Sequence, residues 1–232
     1  MYIAIEGLKG TGKSTFLEML LPYLTAHFDS TQHRIATLRP TKPMPEDHHL
    51  EREFYKHQNN DDYLRLLYAA RSNYHASRTD WNADLIISDR SILTSLAVRW
   101  QNTKKEHMTP SQHYKQVRAQ EDAIAIPDII IQLDAPDTIL LDRYIKRDRQ
   151  YGQHEESLES VMNMRSSYTQ LYEWLSADQT VLLLGKSIPI YCYDTAKLSV
   201  QTICQNIIDA IEQIFANINS ESLAKKPYSL VH

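Results

Sequence analysis

Gly7-Leu8-Lys9-Gly10-Thr11-Gly12-Lys13-Ser14-Thr15 follows the pattern G-x-x-x-x-G-K-[ST], and its flanks matter as much as the match. Before it stands Tyr2-Ile3-Ala4-Ile5-Glu6, a β-branched run that reads as a buried parallel strand. After it, Phe16, Leu17, Leu20, Leu21 and Leu24 recur at helical spacing. A strand, a glycine turn and a helix in that order form a phosphate cradle. The glycines Gly7, Gly10 and Gly12 let the backbone curl so that its N–H groups, with those of Thr11 and Thr15, face a polyphosphate, and the helix N-terminus adds positive dipole. Lys13 has the reach for the outer phosphates, and the Ser14 hydroxyl suits Mg²⁺. The stretch predicts a nucleoside triphosphate site, with ATP and Mg²⁺ as its occupants.

The rest of the chain bounds the answer. Its 232 residues suffice for one large α/β domain, and five Gly with nine Pro leave no room for a low-complexity segment. A formal charge of −4 argues against a nucleic-acid surface. A strand that starts at residue 2 leaves no space for a signal peptide, and no apolar run reaches membrane-spanning length. Cys192 and Cys204 have neither disulfide-framework nor metal spacing. The expectation is a cytoplasmic protein that acts on small molecules, with no nucleic-acid or membrane partner.

Outward from the loop, strands are expected at 34–38, 83–88, 129–133 and 181–184, alternating with helices at 13–27, 63–79, 92–100, 109–125, from 137, at 156–174 and at 198–215. Pro22 should bend the first helix, and Asp61 or Asp62 should cap the long one from 63. Alternation of this kind gives a five-stranded parallel sheet with helices on both faces, and ligands then gather at the carboxyl ends of the strands. One domain is expected over 1–220, with a mobile lid at about 143–156 and a frayed tail from 221.

Chemistry-bearing residues fall on that edge. The third strand ends in Asp89-Arg90, where a carboxylate can hold Mg²⁺ or polarise an oxygen and an arginine can lie against a transferring phosphoryl group. The basic run Arg143, Lys146, Arg147 and Arg149 is a lid candidate, since mobile arginines stabilise the charge spread over a phosphoryl in transit.

The arrangement resembles the thymidylate kinase family. Ile5-Glu6-Gly7 leading into the loop, Leu67-Tyr68-Ala69-Ala70-Arg71, Ser88-Asp89-Arg90 and Pro127-Asp128 followed by Leu133-Asp134 occur in the family's order over about residues 2–185. The resemblance implies a P-loop kinase that moves the γ-phosphoryl of ATP to a deoxynucleoside monophosphate, most naturally dTMP, with Mg²⁺. It implies donor roles for Lys13 and Ser14, acceptor roles for Arg71, Arg90 and Thr94, and transition-state roles for Arg147 and Arg149. The homodimer that thymidylate kinases form comes with it. Four positions depart from the family: Lys9 where a carboxylate is usual, Leu67 where an aromatic stacks on thymine, and Val98-Arg99 in place of Tyr-Gln. These leave the acceptor's base and sugar open, up to a rebuilt pocket for another acceptor.

Asp89-Arg90-Ser91-Ile92 is similar to the deoxynucleoside kinases as well, which act on a neutral 5′-hydroxyl and need a general base just after the second strand. Here that place holds Leu38-Arg39-Pro40-Thr41-Lys42, with no acid before Glu46. Cations suit a monophosphate, with Arg39 or Lys42 as its clamp. A switch-type GTPase should carry Asn-Lys-x-Asp at a late strand, and none occurs.

Overall fold

The computed structural model of the chain describes residues 1–29, 33–105, 107–146 and 156–224, with the backbone alone at 27–29, 102, 104–105 and 214–224. Five strands, β1 (Tyr2–Gly7), β2 (Ile35–Leu38), β3 (Leu85–Asp89), β4 (Ile129–Asp134) and β5 (Ile190–Asp194), pair in the order β2-β3-β1-β4-β5. Every pairing is parallel. The P-loop strand β1 is central and buried along its whole length, as its near-continuous apolar run requires.

Side chains alternate across the sheet with period two. Ile3, Ile5, Leu85, Ile87, Ile129, Ile131 and Leu133 face one side, where they meet Phe16, Leu17, Leu20 and Leu24 of α1 (Lys13–Asp29) and Ile203, Ile207 and Ile211 of α11 (Val200–Ala224). Tyr2, Ile86 and Ile130 face the other side. There they meet residues of α5 (Ile92–Val98), α7 (Pro110–Gln120), α8 (Asp137–Ile145) and α9 (Leu158–Leu175). Helices α2 (His49–Arg52), α3 (Phe54–His57) and α4 (Asp61–Ala76) fill the β2–β3 crossover. α6 (Trp100–Lys105) lies between α5 and α7.

Several local expectations need correction. The run Val181–Leu184 is not the fifth strand. It ends α10 (Asp178–Leu184), which stops at Gly185 in the left-handed conformation, φ +71°. Leu182 is 83% exposed, so hydrophobicity alone misled there. The true β5 carries Ile190-Tyr191-Cys192-Tyr193, a β-branched and aromatic pattern directly after Pro189. α1 contains Pro22, as expected, and ends at Asp29 rather than near 27, and Asn60 rather than either aspartate caps α4, its side chain accepting from the Tyr63 N–H at 3.0 Å. Between the helices expected at 92–100 and 109–125 lies a further helix, α6, and α11 continues to Ala224.

Candidate active site

The P-loop links the end of β1 to α1, and two of its glycines, Gly7 and Gly10, are required by what surrounds them. Gly7 has φ +140°, and a Cβ there would lie 2.2 Å from the Leu133 carbonyl oxygen of the adjacent strand. Gly10 has φ +78°, and a Cβ would meet the Tyr144 ring at 2.9 Å. Inside the loop, Lys13 is buried and its Nζ donates to the carbonyls of Gly7 (2.8 Å) and Leu8 (2.7 Å), while Thr11 Oγ1 donates to Leu8 O at 2.9 Å. Ser14 and Thr15 are exposed at the first turn of α1.

α8 braces the loop from outside. Tyr144 OH donates to Lys9 O at 2.9 Å, and Arg143 Nη1 donates to Gly10 O at 2.8 Å and to Thr195 Oγ1 at 3.1 Å. Arg143, expected in a lid, is therefore a brace between the P-loop and the residue that follows β5. The lid candidates Arg147 and Arg149 lie outside the described residues, whereas Lys146 is exposed and paired with Asp142 at 2.7 Å.

Strand register assembles the carboxyl edge. Ile5 pairs with Asp89, and Leu38 pairs with Ser88, so Arg39 leaves β2 beside Asp89 and Asp89 leaves β3 beside the P-loop strand. Arg90 has φ +74°, an uncommon conformation for a side chain-bearing residue, and its N–H donates to Ile5 O at 3.0 Å. Its Nη1 reaches Thr94 Oγ1 at 3.4 Å. Arg39 and Lys42 are both exposed in the loop after β2. Ser14 and Asp89 supply hard oxygen donors, a hydroxyl and a carboxylate, which fit Mg²⁺ held largely by substrate phosphates and water.

Three features escaped the sequence reading. Glu6 is 0% exposed and accepts hydrogen bonds from Ser91 Oγ (2.6 Å), Thr94 Oγ1 (2.8 Å) and Tyr168 OH (2.9 Å). Burial raises its pKa, against opposing pulls from Arg90 and the three hydroxyls. The visible signal was a charged residue inside an otherwise apolar strand. Glu51 takes two bonds from Arg71, Nε at 2.7 Å and Nη2 at 2.6 Å, and a third from Met44 N–H at 2.8 Å. Burial raises the Glu51 pKa, but Arg71 and the Met44 N–H outweigh it, and the net shift is downward. Arg165 of α9 grips Asp134 through Nε at 2.9 Å and also pairs with Asp137.

Arg71 is thus engaged by Glu51, with Tyr68 (5.2 Å) and Phe54 (5.8 Å) under its guanidinium. Leu67 is fully buried and offers no face for stacking, and Tyr68 is the half-buried aromatic beside it. Asp61, Arg65, Arg99, His113, Gln116 and Gln120 line a polar cavity of about 230 Å³.

A P-loop on the central strand of a parallel sheet, with an Asp-Arg step on the neighbouring strand, defines a P-loop α/β nucleotide kinase. The family model described as thymidylate kinase matches residues 5–188, and the chain belongs to the thymidylate kinase family. A "probable thymidylate kinase 1" of Saccharolobus solfataricus is 30% identical over 175 residues, which cover 73% of this chain and 82% of that protein. Among solved structures, a deoxyadenosine kinase from M. mycoides with dCMP and dCDP bound superposes with TM-score 0.60 at 19% identity, covering 92% of this chain and 100% of that one. The YorR protein of Bacillus subtilis, in complex with phosphorylated GDP, gives 0.50 at 16% identity, covering 93% and 98%. These two likenesses are of fold. Among the described residues no helix is long and apolar enough to cross a membrane.

Proposed function

We propose that the protein transfers the γ-phosphoryl group of ATP to a deoxynucleoside monophosphate, with dTMP the preferred acceptor. The observation that carries this reading is the exit of β3 beside the P-loop strand, with β2 next to it. Arg39 and Lys42 leave β2 next to Asp89-Arg90, while the first carboxylate of the crossover helices, Glu51, is clamped by Arg71. A clamped carboxylate with a lowered pKa is a poor general base for a nucleoside hydroxyl. A monophosphate needs no such base and is held by cations.

In this reading a monophosphate oxygen attacks the γ-phosphorus, the bond to the β–γ bridging oxygen breaks, and ADP leaves. Lys13 exchanges its bonds to the loop carbonyls for the donor's outer phosphates, and the N–H groups from Gly7 to Thr15 hold the rest. Ser14 and Asp89 would hold Mg²⁺, which would supply charge neutralisation on the phosphates. Arg90 bridges donor and acceptor phosphates, and Arg39 or Lys42 clamps the acceptor. Thr94 lines its sugar side, Leu67 backs the pocket and Arg71 stands at the base side. Arg147 and Arg149 close over the transfer. Preference for dTMP is supported by the family and by the name of the S. solfataricus relative. The same reading makes the protein a cytosolic enzyme and, by resemblance, a homodimer.

The test is ADP release with ATP·Mg²⁺ against dTMP, dUMP, UMP, dCMP, dGMP, dAMP and the matching nucleosides. Highest kcat/KM with dTMP is the expected result. Turnover of a nucleoside in place of its monophosphate would overturn the clamp argument. Turnover of a different monophosphate would retain the reaction and replace the acceptor.

A further inference from the structure

We propose that Glu6 is a positioning residue for the acceptor half of the site: its buried carboxylate sets Arg90 and Thr94 and ties both, through Tyr168, to helix α9. The inference rests on the phosphoryl-transfer reading above. Glu6 is the penultimate residue of β1, directly before the first P-loop glycine, and it is wholly excluded from solvent. A carboxylate persists in such a place only with partners for its charge and its lone pairs.

The partners are of one kind. Ser91 Oγ donates to Oε1, and Thr94 Oγ1 and Tyr168 OH both donate to Oε2. An ionised carboxylate is acceptor-only and can take all three, whereas an amide offers one acceptor oxygen and an NH₂ with no acceptor facing it unless the hydroxyls turn. The charge is answered by Arg90, whose field favours the ionised form against the burial that disfavours it. Among the described residues, Tyr2, Tyr168 and Tyr172 also interact electrostatically with Glu6. Burial raises the pKa of all three, so they stay neutral at physiological pH.

Three elements therefore meet at one side chain. The P-loop strand contributes Glu6, and the start of α5 contributes Ser91, which caps that helix through the Leu93 N–H at 3.1 Å, and Thr94. α9, the helix that follows residues 147–155, contributes Tyr168, whose hydroxyl also lies 3.3 Å from Thr94 Oγ1. Arg90 is held from its backbone by Ile5 O, from its guanidinium by Thr94 and by the charge of Glu6. An arginine fixed in this way can meet a phosphate without first losing conformational freedom.

The test uses the full-length chain and four proteins: wild type, Glu6→Gln, Arg90→Gln and the double variant. Glu6→Gln should lower kcat/KM for the monophosphate by about 10²-fold, the scale expected when a catalytic group is misplaced, and leave the KM for ATP within about twofold. In the Arg90→Gln background the same change should cost no more than about threefold, because its effect passes through Arg90. Equal losses in both backgrounds, or a KM for ATP that rises along with the acceptor's loss, would mean that Glu6 only supports the fold and would overturn the proposal. If Glu6→Gln does not fold, Tyr168→Phe keeps the ring and removes one of the three bonds. A fall in acceptor kcat/KM with the KM for ATP unchanged then supports the proposal, and unchanged acceptor kinetics overturns it. A wild-type protein that turns over no monophosphate would bring down the kinase reading itself, and this proposal with it.

Discussion

Arg71 of α4 and Glu51 of α2, twenty positions apart, form a bidentate pair with N···O distances of 2.7 and 2.6 Å, and both side chains are less than a tenth exposed. The pair pins α2 to α4 within the β2–β3 crossover. Removing the charge from one partner leaves the other buried and uncompensated, so Glu51→Gln should cost about 3–5 kcal/mol of stability. Urea unfolding of the two proteins at neutral pH measures it, and a difference under about 1 kcal/mol would place the pair with ordinary surface bridges.

The same pair sets a pH dependence. The Glu51 pKa is lower folded than unfolded, so its contribution is fully present above the ordinary glutamate value of about 4.3 and is lost as pH falls through the lowered folded value. The stability gap between wild type and Glu51→Gln should therefore hold steady from neutral pH down to about 5 and narrow below about 4.3. Thermal melts at stepped pH check this. A gap that widens on acidification would reverse the sign of the argument.

Lys13→Ala removes the ammonium that faces the P-loop carbonyls. Turnover should fall by about 10²–10³-fold, the scale seen on deleting one charge-stabilising donor, with far less change in the melting temperature than in rate. Near-normal ADP release would remove the loop from the chemistry.

The P-loop glycines should rank in a definite order. Gly7→Ala drives a Cβ to 2.2 Å from a backbone carbonyl of β4 and should be the most damaging to folding and ATP binding alike. Gly10→Ala meets the Tyr144 ring, which can shift, and should be intermediate. At Gly12, φ is +89° but nothing lies within 4 Å, so its alanine should cost about 1–2 kcal/mol from backbone conformation alone. Melting temperatures of the three variants test the ranking, and a Gly12→Ala protein less stable than Gly7→Ala would contradict it.

Arg143→Ala releases Gly10 O and Thr195 together. The KM for ATP should rise by about tenfold while the acceptor KM stays within about twofold, since a remote positioning contact on this scale acts on the group it holds. Steady-state kinetics with each substrate varied in turn separates the two.

Much of this molecule could be read from local pattern. The run Tyr2–Glu6, the loop from Gly7 to Thr15 and the helical spacing after it specify strand, cradle and helix within two dozen residues, and the alternation of strands with helices specifies a parallel sheet. Asp89-Arg90 was legible because it ends an apolar run. β5 was not legible: Val181–Leu184 is more hydrophobic than Ile190–Asp194, yet the first is a helix end stopped by Gly185 and the second gains its place by pairing with β4. Composition counts apolar atoms, whereas a strand also needs a neighbour.

Long-range polar pairing was the other loss. Glu51 and Arg71 each read as ordinary surface charges until the crossover folds one onto the other. Glu6 and Tyr168 stand 162 positions apart. Nothing in either neighbourhood announces the partner, although a lone glutamate in an isoleucine-rich strand signals that one must exist.

The Arg143 brace has one more consequence. Thr195, which it grips, also donates to Asp134 O at 3.0 Å and lies one residue past β5, so one side chain spans from the P-loop to the margin of the sheet. Edge strands open first in native-state fluctuations, and any opening of this margin must pull on Gly10 O. A nucleotide seated in the loop should therefore slow amide hydrogen exchange along Ile190–Asp194, and a loosened margin should weaken nucleotide binding by the same free energy.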